Sequence, residues 1–164
     1  SQHEGLSQFK FKQDTKSYMS PTSEISMGYL ELMLSQTRHS ITLCVNNLSL
    51  DIYKQPGLIQ KIKSLAKKNR HFRLQILIDQ YHPTNNDHPL LRLASRLPTF
   101  CEVKINQEPL LDKLIFDKLA SIEYLQGDSK VCFSNKGKLD QFLVSFNRNW
   151  ERAKNASGAR RLAI

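Results

Sequence analysis

The side chains able to do chemistry in this 164-residue chain collect behind two apolar runs. Asn46 and Asn47 follow Ile41-Thr42-Leu43-Cys44-Val45, and Asp79, His82 and Asp87 follow Arg73-Leu74-Gln75-Ile76-Leu77-Ile78. If the runs are strands, these residues stand at carboxyl ends, where open α/β sheets bind their ligands. Asp79 and His82 are then candidates for acid–base work, which needs an imidazole beside an aligned partner. Lys113, at the head of a later apolar run, is the third candidate, because its ammonium could hold a phosphate as a point charge. The plainer reading makes Asn46, Asn47, Asp79, His82 and Asp87 turn formers that satisfy loop backbone. On the same reading Lys113 is a strand lysine facing water.

A second group is cationic. Lys61, Lys63, Lys67, Lys68, Arg70 and Arg73 span the end of a helix and the start of a strand. Cations at a helix C-terminus are stabilising on dipole grounds alone. As a binding surface they would touch phosphates without reading sequence. The cluster lacks interleaved exposed aromatics, so stacking of single-stranded bases is not indicated. Trp150 either packs in the core with Phe142 and Phe146 or reaches a pocket rim, where its indole N–H would need a partner.

The elements that position these residues follow from periodicity. Ser20-Pro21-Thr22-Ser23-Glu24 reads as a helix start, with Ile25, Tyr29, Leu32 and Met33 as its apolar stripe. The strand Ile41–Val45 leads through a loop, Leu48 to Gln55, into a helix from Pro56 to Asn69. The strand Arg73–Asp79 is apolar enough to be central. Pro89 opens a helix that stops before Pro98. Cys101–Ile105, Leu114–Phe116, Ser121–Leu125 and Lys130–Phe133 read as strands. Leu139, Phe142, Leu143, Phe146 and Trp150 form the stripe of a closing helix, Gly137 to Ala153. Strand, helix, strand repeats in the first half imply parallel crossovers, and the second half reads as a meander on the same sheet. The expected fold is a mixed α/β domain, a sheet of about six or seven strands flanked by helices. Residues 1–20, with Phe9 and Phe11 alternating against lysines, are expected to be a short edge strand, a flexible arm or an appended remnant, and residues 21–164 a single domain. Ser1 in place of Met suggests a fragment or an expression artefact.

The net charge is +9, which invites an anionic partner: nucleic acid, acidic protein or lipid headgroup. No apolar run approaches the roughly 20 residues that cross a bilayer. Cys44, Cys101 and Cys132 are odd in number and widely spaced, so buried reduced thiols in a cytoplasmic protein are expected rather than disulfides or a zinc site. Glycine-rich phosphate loops, a serine nucleophile elbow and His-Glu-x-x-His are absent, so no cofactor or metal is expected.

Several stretches share one resemblance: Leu111-Asp112-Lys113-Leu114-Ile115-Phe116-Asp117-Lys118, Asn47-Leu48-Ser49-Leu50-Asp51-Ile52-Tyr53, Ala94-Ser95-Arg96-Leu97-Pro98, the Phe146 to Trp150 helix, and Arg160-Arg161-Leu162. Together they resemble a phospholipase-D-like domain of unknown function from proteobacteria, found alone or after an acetyltransferase domain. The superfamily signature is His-x-Lys, four residues, then Asp, and its histidine attacks phosphorus to form a phosphohistidine. Here the histidine slot holds Leu111, the lysine slot Lys113 and the aspartate slot Lys118, with Asp117 one place early. None of His3, His39, His71, His82 and His88 heads an intact copy. The resemblance therefore implies the fold without its usual nucleophile. The expectation is a non-catalytic module that binds an anionic ligand, nucleic acid or a partner domain, with a homodimer as one form of partnership. The alternative is a divergent phosphodiesterase or nuclease built around His82 and Lys113.

Overall fold

The computed structural model describes residues 17–20, 23–81, 87–125, 128–132 and 136–156. Phe9, Phe11, His82, Phe133 and Arg160-Arg161-Leu162 lie outside them. The described chain opens with β1 (Ser17–Ser20) and α1 (Ser23–Gln36), then alternates through β2 (Ser40–Val45), α2 (Pro56–Lys68), β3 (Arg73–Ile78), α3 (Pro89–Arg96) and β4 (Cys101–Ile105). A meander follows, β5 (Lys113–Phe116), β6 (Ala120–Leu125) and β7 (Asp128–Cys132), and the long helix α4 (Lys136–Arg152) leads to a two-residue strand, β8 (Lys154–Asn155).

One mixed sheet results, in the order β1-β7-β6-β5-β2-β3-β4-β8. Strands β2, β3 and β4 are parallel, as the crossovers require. Strand β5 runs antiparallel to β2 and starts the meander, with Lys113 opposite Cys44. Strands β2 and β3 are buried along nearly their whole length. That suits central strands covered on both faces, and explains their unbroken apolar sequence.

The two faces are covered differently. Helices α1, α2 and α3 close the larger core, where Ile41, Leu43, Leu74, Ile76, Leu114 and Phe116 face Met33, Leu58, Ile62 and Leu90. On the other face α4 is the one helix among the described residues, packing Phe146 and Trp150 on Cys44 and Leu77. The two rings stack 5.6 Å apart. Burial of each large apolar side chain contributes about 1.5–3 kcal/mol.

Local sequence sets the ends of these elements. Pro56 starts α2 in its first turn, where a missing N–H costs nothing. The His88 ring caps α3, its Nδ1 accepting from Leu90 N at 3.1 Å. The stretch Leu48–Gln55, expected as a loop, contains a 3-10 turn at Asp51–Lys54 that buries Ile52 and Tyr53. Of the two short edge strands, β1 falls at the end of the stretch expected as an edge strand or an arm, and β8 is an addition. Residues 17–20, within the expected arm, pair with β7, and β8 pairs with β4. Strands of four and two residues are too short to show a period.

Candidate functional site

At the carboxyl ends of β2 and β3 the polar side chains are tied to one another. Asp112, the residue before β5, is buried. One of its oxygens accepts from the backbone N–H of Asn46 (2.9 Å) and Asn47 (3.1 Å) and from the Tyr53 hydroxyl (2.8 Å). The same hydroxyl lies 3.2 Å from the Cys44 carbonyl oxygen. Burial and then the Asp112 carboxylate hold the Tyr53 phenol far above its usual range, so it serves as a donor. Asp79 uses one oxygen to accept from Asn46 Nδ2 (2.9 Å) and from Leu110 N. Its other oxygen is buried with no hydrogen-bond partner among the described residues. The Asn47 side chain turns outward to accept from Ser49. Leu111 is 60% exposed and fills no pocket.

Lys113 points to the α4 face. Its ammonium lies 4.0 Å from a Glu123 carboxylate oxygen and 4.1 Å from the centre of the Phe142 ring. Burial pulls it below the usual lysine range, and Glu123 opposes the shift. It lines a small pocket of about 80 Å³ with Ser121, Glu123, Lys130, Cys132 and Lys138. Asp79 is not among the lining residues, so the structure does not bring Asp79 and Lys113 together in this pocket. Trp150 is buried on Leu77 and Cys44, with the Lys104 ammonium 4.7 Å from its ring centre and bonded to its carbonyl oxygen. Among the described residues no group of three His, Cys, Asp or Glu side chains could hold a metal ion.

The amino ends of the same strands look different. A groove of about 720 Å³ opens there, lined among others by His39, His71, Arg73, Glu102, Asp117 and Lys118. Asp117 does not face it as a free charge. Its carboxylate accepts from the successive backbone N–H groups of Arg38 (2.9 Å), His39 (2.7 Å) and Ser40 (3.0 Å). The turn it occupies, between β5 and β6, is left-handed at Asp117 (φ 54°) and Lys118 (φ 58°), and so projects the Lys118 side chain into solvent. Arg73 is held by the carbonyl oxygens of Arg70 and Phe72 and lies 6.0 Å from the centre of the Phe100 ring. Arg38, Lys61 and Lys68 sit near enough to influence one another: Lys61 is lowered by burial first, then by Lys68 and Arg38.

The cationic run of the sequence is thus divided. Lys61, Lys68, Arg70 and Arg73 belong to the amino end of the sheet, whereas Lys63 and Lys67 line a separate groove facing α3.

The profile of the Domain of unknown function (DUF7931) matches residues 23–162, most of the chain. The chain belongs to the DUF7931 family. Among curated proteins none matches it. Among solved structures, TrmBL2, an archaeal chromatin protein with a novel mode of DNA binding, superposes with a TM-score of 0.65 at 15% identity, over 85% of this chain and 52% of that one. Nuc from Salmonella typhimurium, a phospholipase D family member, gives 0.60 at 9% identity, over 87% of this chain and 98% of that one. Phosphatidylserine synthase from Haemophilus influenzae Rd KW20 gives 0.57 at 11% identity, over 86% and 39%. This chain spans about half of TrmBL2 and nearly all of Nuc. At these identities the likeness establishes the fold, a phospholipase-D-like α/β sheet, which is the one the motifs pointed to.

In this DUF7931 chain sequence reasoning did not single out Asp112, Tyr53, Lys118, His39 or His71 as a set. A lone acid between Leu111 and Lys113 was the available signal for Asp112. Nothing local marked the others, whose partners lie far along the chain.

Proposed function

We propose that this protein is a non-catalytic phospholipase-D-like module that binds a polyanion, nucleic acid first, across the amino end of its sheet. The observation that carries the reading is the cationic rim there. Arg73 and Lys118 line the groove of about 720 Å³. Arg38 and Arg70 are next in sequence to its lining residues His39 and His71. Lys68 lies near Lys61, which also feels Arg38 and Asp117, and all five cations are exposed. Of the two carboxylates lining the groove, Asp117 is engaged by three backbone N–H groups and Glu102 lies 4.0 Å from the Lys104 ammonium. Cations spread along a rim suit a phosphate backbone, which presents one charge every few ångströms. DNA binding by TrmBL2, whose fold is shared, agrees with this reading.

The absence of a catalytic role rests on the opposite end. Leu111 stands in the slot that phosphohistidine chemistry requires. Asp112 and Asp79 are occupied by internal donors, and Lys113 is covered by Phe142 and Glu123. A phosphodiesterase centred on His82 and Lys113 would need both to reach one phosphorus, and no observation favours it.

The test is fluorescence anisotropy with labelled duplex DNA, single-stranded DNA and RNA across a salt series. The expected result is binding whose logarithm falls linearly with the logarithm of salt, with a slope of about −3 to −5 if four or five phosphates are neutralised. Binding indifferent to salt, or none at low salt, would sink the proposal. Hydrolysis of a model phosphodiester that survives Lys113→Ala and His82→Ala would point to other residues, and hydrolysis abolished by both would restore the enzyme reading.

A further inference from the structure

The groove between α2 and α3 stands apart from the surface proposed for polyanions. It encloses about 350 Å³, with Ala66, Leu93, Leu97 and Phe100 as its apolar floor. Ala66 and Leu93 are buried, while Leu97 and Phe100 are half-buried, so the core surfaces along this line. The rim is Lys63 and Lys67 on one wall and Arg96 on the other. All three are exposed, and none is paired with a carboxylate among the described residues. Lys63 and Lys67 are one turn apart on α2, a like-charge spacing that disfavours the helix taken alone.

We propose that this groove docks an acidic amphipathic helix of a partner protein. The argument is charge complementarity on two walls. A fatty acid or other single-headed amphiphile carries one anion at one end, and would leave the cations of one wall unanswered. A helix whose apolar stripe is flanked on both sides by Asp or Glu fills the floor and meets both walls at once, as in helix-in-groove recognition generally. Burial of the stripe supplies affinity, and the two cationic walls supply orientation and partner choice. Phe100 lines this groove and the polyanion groove alike, so the two surfaces are neighbours with different chemistry: one has an apolar floor and a cationic rim, the other mixes His39, His71, Arg73, Glu102 and Lys118 with Leu74 and Pro98. The proposal does not rest on nucleic-acid binding.

The experiment uses the full chain and a fluorescein-labelled designed helix with Leu at i, i+3, i+4 and i+7 and Glu on both flanks. The same helix with Lys in place of every Glu, and dodecanoate as an unlabelled competitor, complete the set. The expected result is micromolar binding of the Glu-flanked helix, a loss of at least about tenfold in Lys63→Ala/Lys67→Ala/Arg96→Ala, and no binding of the Lys-flanked helix. Should the triple variant unfold by circular dichroism, Arg96→Ala alone carries the comparison. Equal binding of both helices, no binding of the Glu-flanked helix, or displacement of that helix by stoichiometric dodecanoate would overturn the proposal, the last in favour of a lipid-like ligand. Duplex DNA is the control that keeps the two readings apart. Failure to bind DNA with retained helix binding removes the polyanion reading and leaves this one standing.

Discussion

The two ends of the central sheet hold similar side chains and use them in opposite ways. At the carboxyl end, Asp112 is taken up by Asn46, Asn47 and Tyr53. Asp79 engages Asn46 and Leu110 through one oxygen while the other stays buried without a partner among the described residues, and Lys113 lies under α4 against Glu123 and Phe142. At the amino end the half-buried carboxylate is tied to backbone, and the exposed cations have no carboxylate partner among the described residues. Asp117 satisfies three backbone N–H groups ahead of β2, while Lys68, Arg70 and Lys118 point to solvent. A polar residue spent on backbone donors fixes geometry, whereas an unpaired exposed cation costs the fold little and is available to a partner. The difference teaches which end of this sheet presents charge that its own fold does not use.

The sharpest way to break that comparison is Asp112→Ala. It leaves two backbone N–H groups and the buried Tyr53 hydroxyl without their acceptor, which should cost about 3 kcal/mol or more in urea unfolding. Polyanion affinity of the folded protein should not change. A cost under about 1 kcal/mol would mean that Asp112 is not the structural anchor, and would return the carboxyl end to the list of ligand sites. The mirror test is Lys68→Glu/Arg70→Glu/Lys118→Glu. DNA affinity should fall by more than about tenfold and the salt slope should flatten by about 3. Stability should stay within about 0.5 kcal/mol for each exposed change. Lost stability with unchanged affinity would reverse the roles assigned to the two ends.

Much of the fold was legible because periodicity is a local property. The predominantly apolar runs at Ile41 and Leu74 marked buried parallel strands, Pro56 and Pro89 marked helix starts, and the stripe from Leu139 to Trp150 marked α4. The candidate site was legible only as residue types. Asn46 and Asp79 do stand at strand ends, yet whether they are free depends on Asp112 and Leu110, over thirty residues away in sequence. Asp117 read as a displaced catalytic acid, but its role as acceptor for residues 38–40 rests on contacts 77–79 residues apart. The basic run read as one surface, although helical periodicity already sends Lys61 and Lys68 to one side of α2 and Lys63 and Lys67 to another; that the second pair lines a groove depends on α3. Long-range hydrogen bonds and helix neighbours leave no mark on a single sequence.

A pH titration sharpens the comparison on the structural side. Burial pushes the Cys44 thiol up to about 12, with Asp112 adding to the shift and Lys113 opposing it. Burial alone does the same for Cys101. Above a pH of about 9 these thiols ionise in the unfolded chain and stay protonated in the folded one. Their stabilising contribution is therefore complete below that pH and is lost progressively as pH climbs toward the folded value. Stability by urea unfolding should fall by roughly 2 kcal/mol per thiol by about pH 10.5. In Cys44→Ala the fall should be smaller by one thiol's share, on top of a pH-independent packing cost. An unchanged slope in that variant would show that Cys44 is reached by water and that α4 does not seal this face.

The smallest expected effect separates shape from charge at one residue. Lys118 holds a left-handed φ of 58°, which costs a residue with a Cβ about 1–2 kcal/mol. Lys118→Gly relieves that cost and gives back about 0.5–1 kcal/mol in unfolded-state entropy. Lys118→Ala removes the same charge and keeps the strain. The glycine variant should therefore be more stable than the alanine variant by a few tenths of a kcal/mol to about 1 kcal/mol, while both lose the same fewfold in DNA affinity. Equal stability would mean that the turn relaxes at no cost once the lysine is gone. Affinity that differs between the two variants would mean that the turn's shape, and not only its ammonium, is presented to the polyanion. Retained affinity in both would take Lys118 off the binding surface and leave the comparison to rest on Lys68 and Arg70.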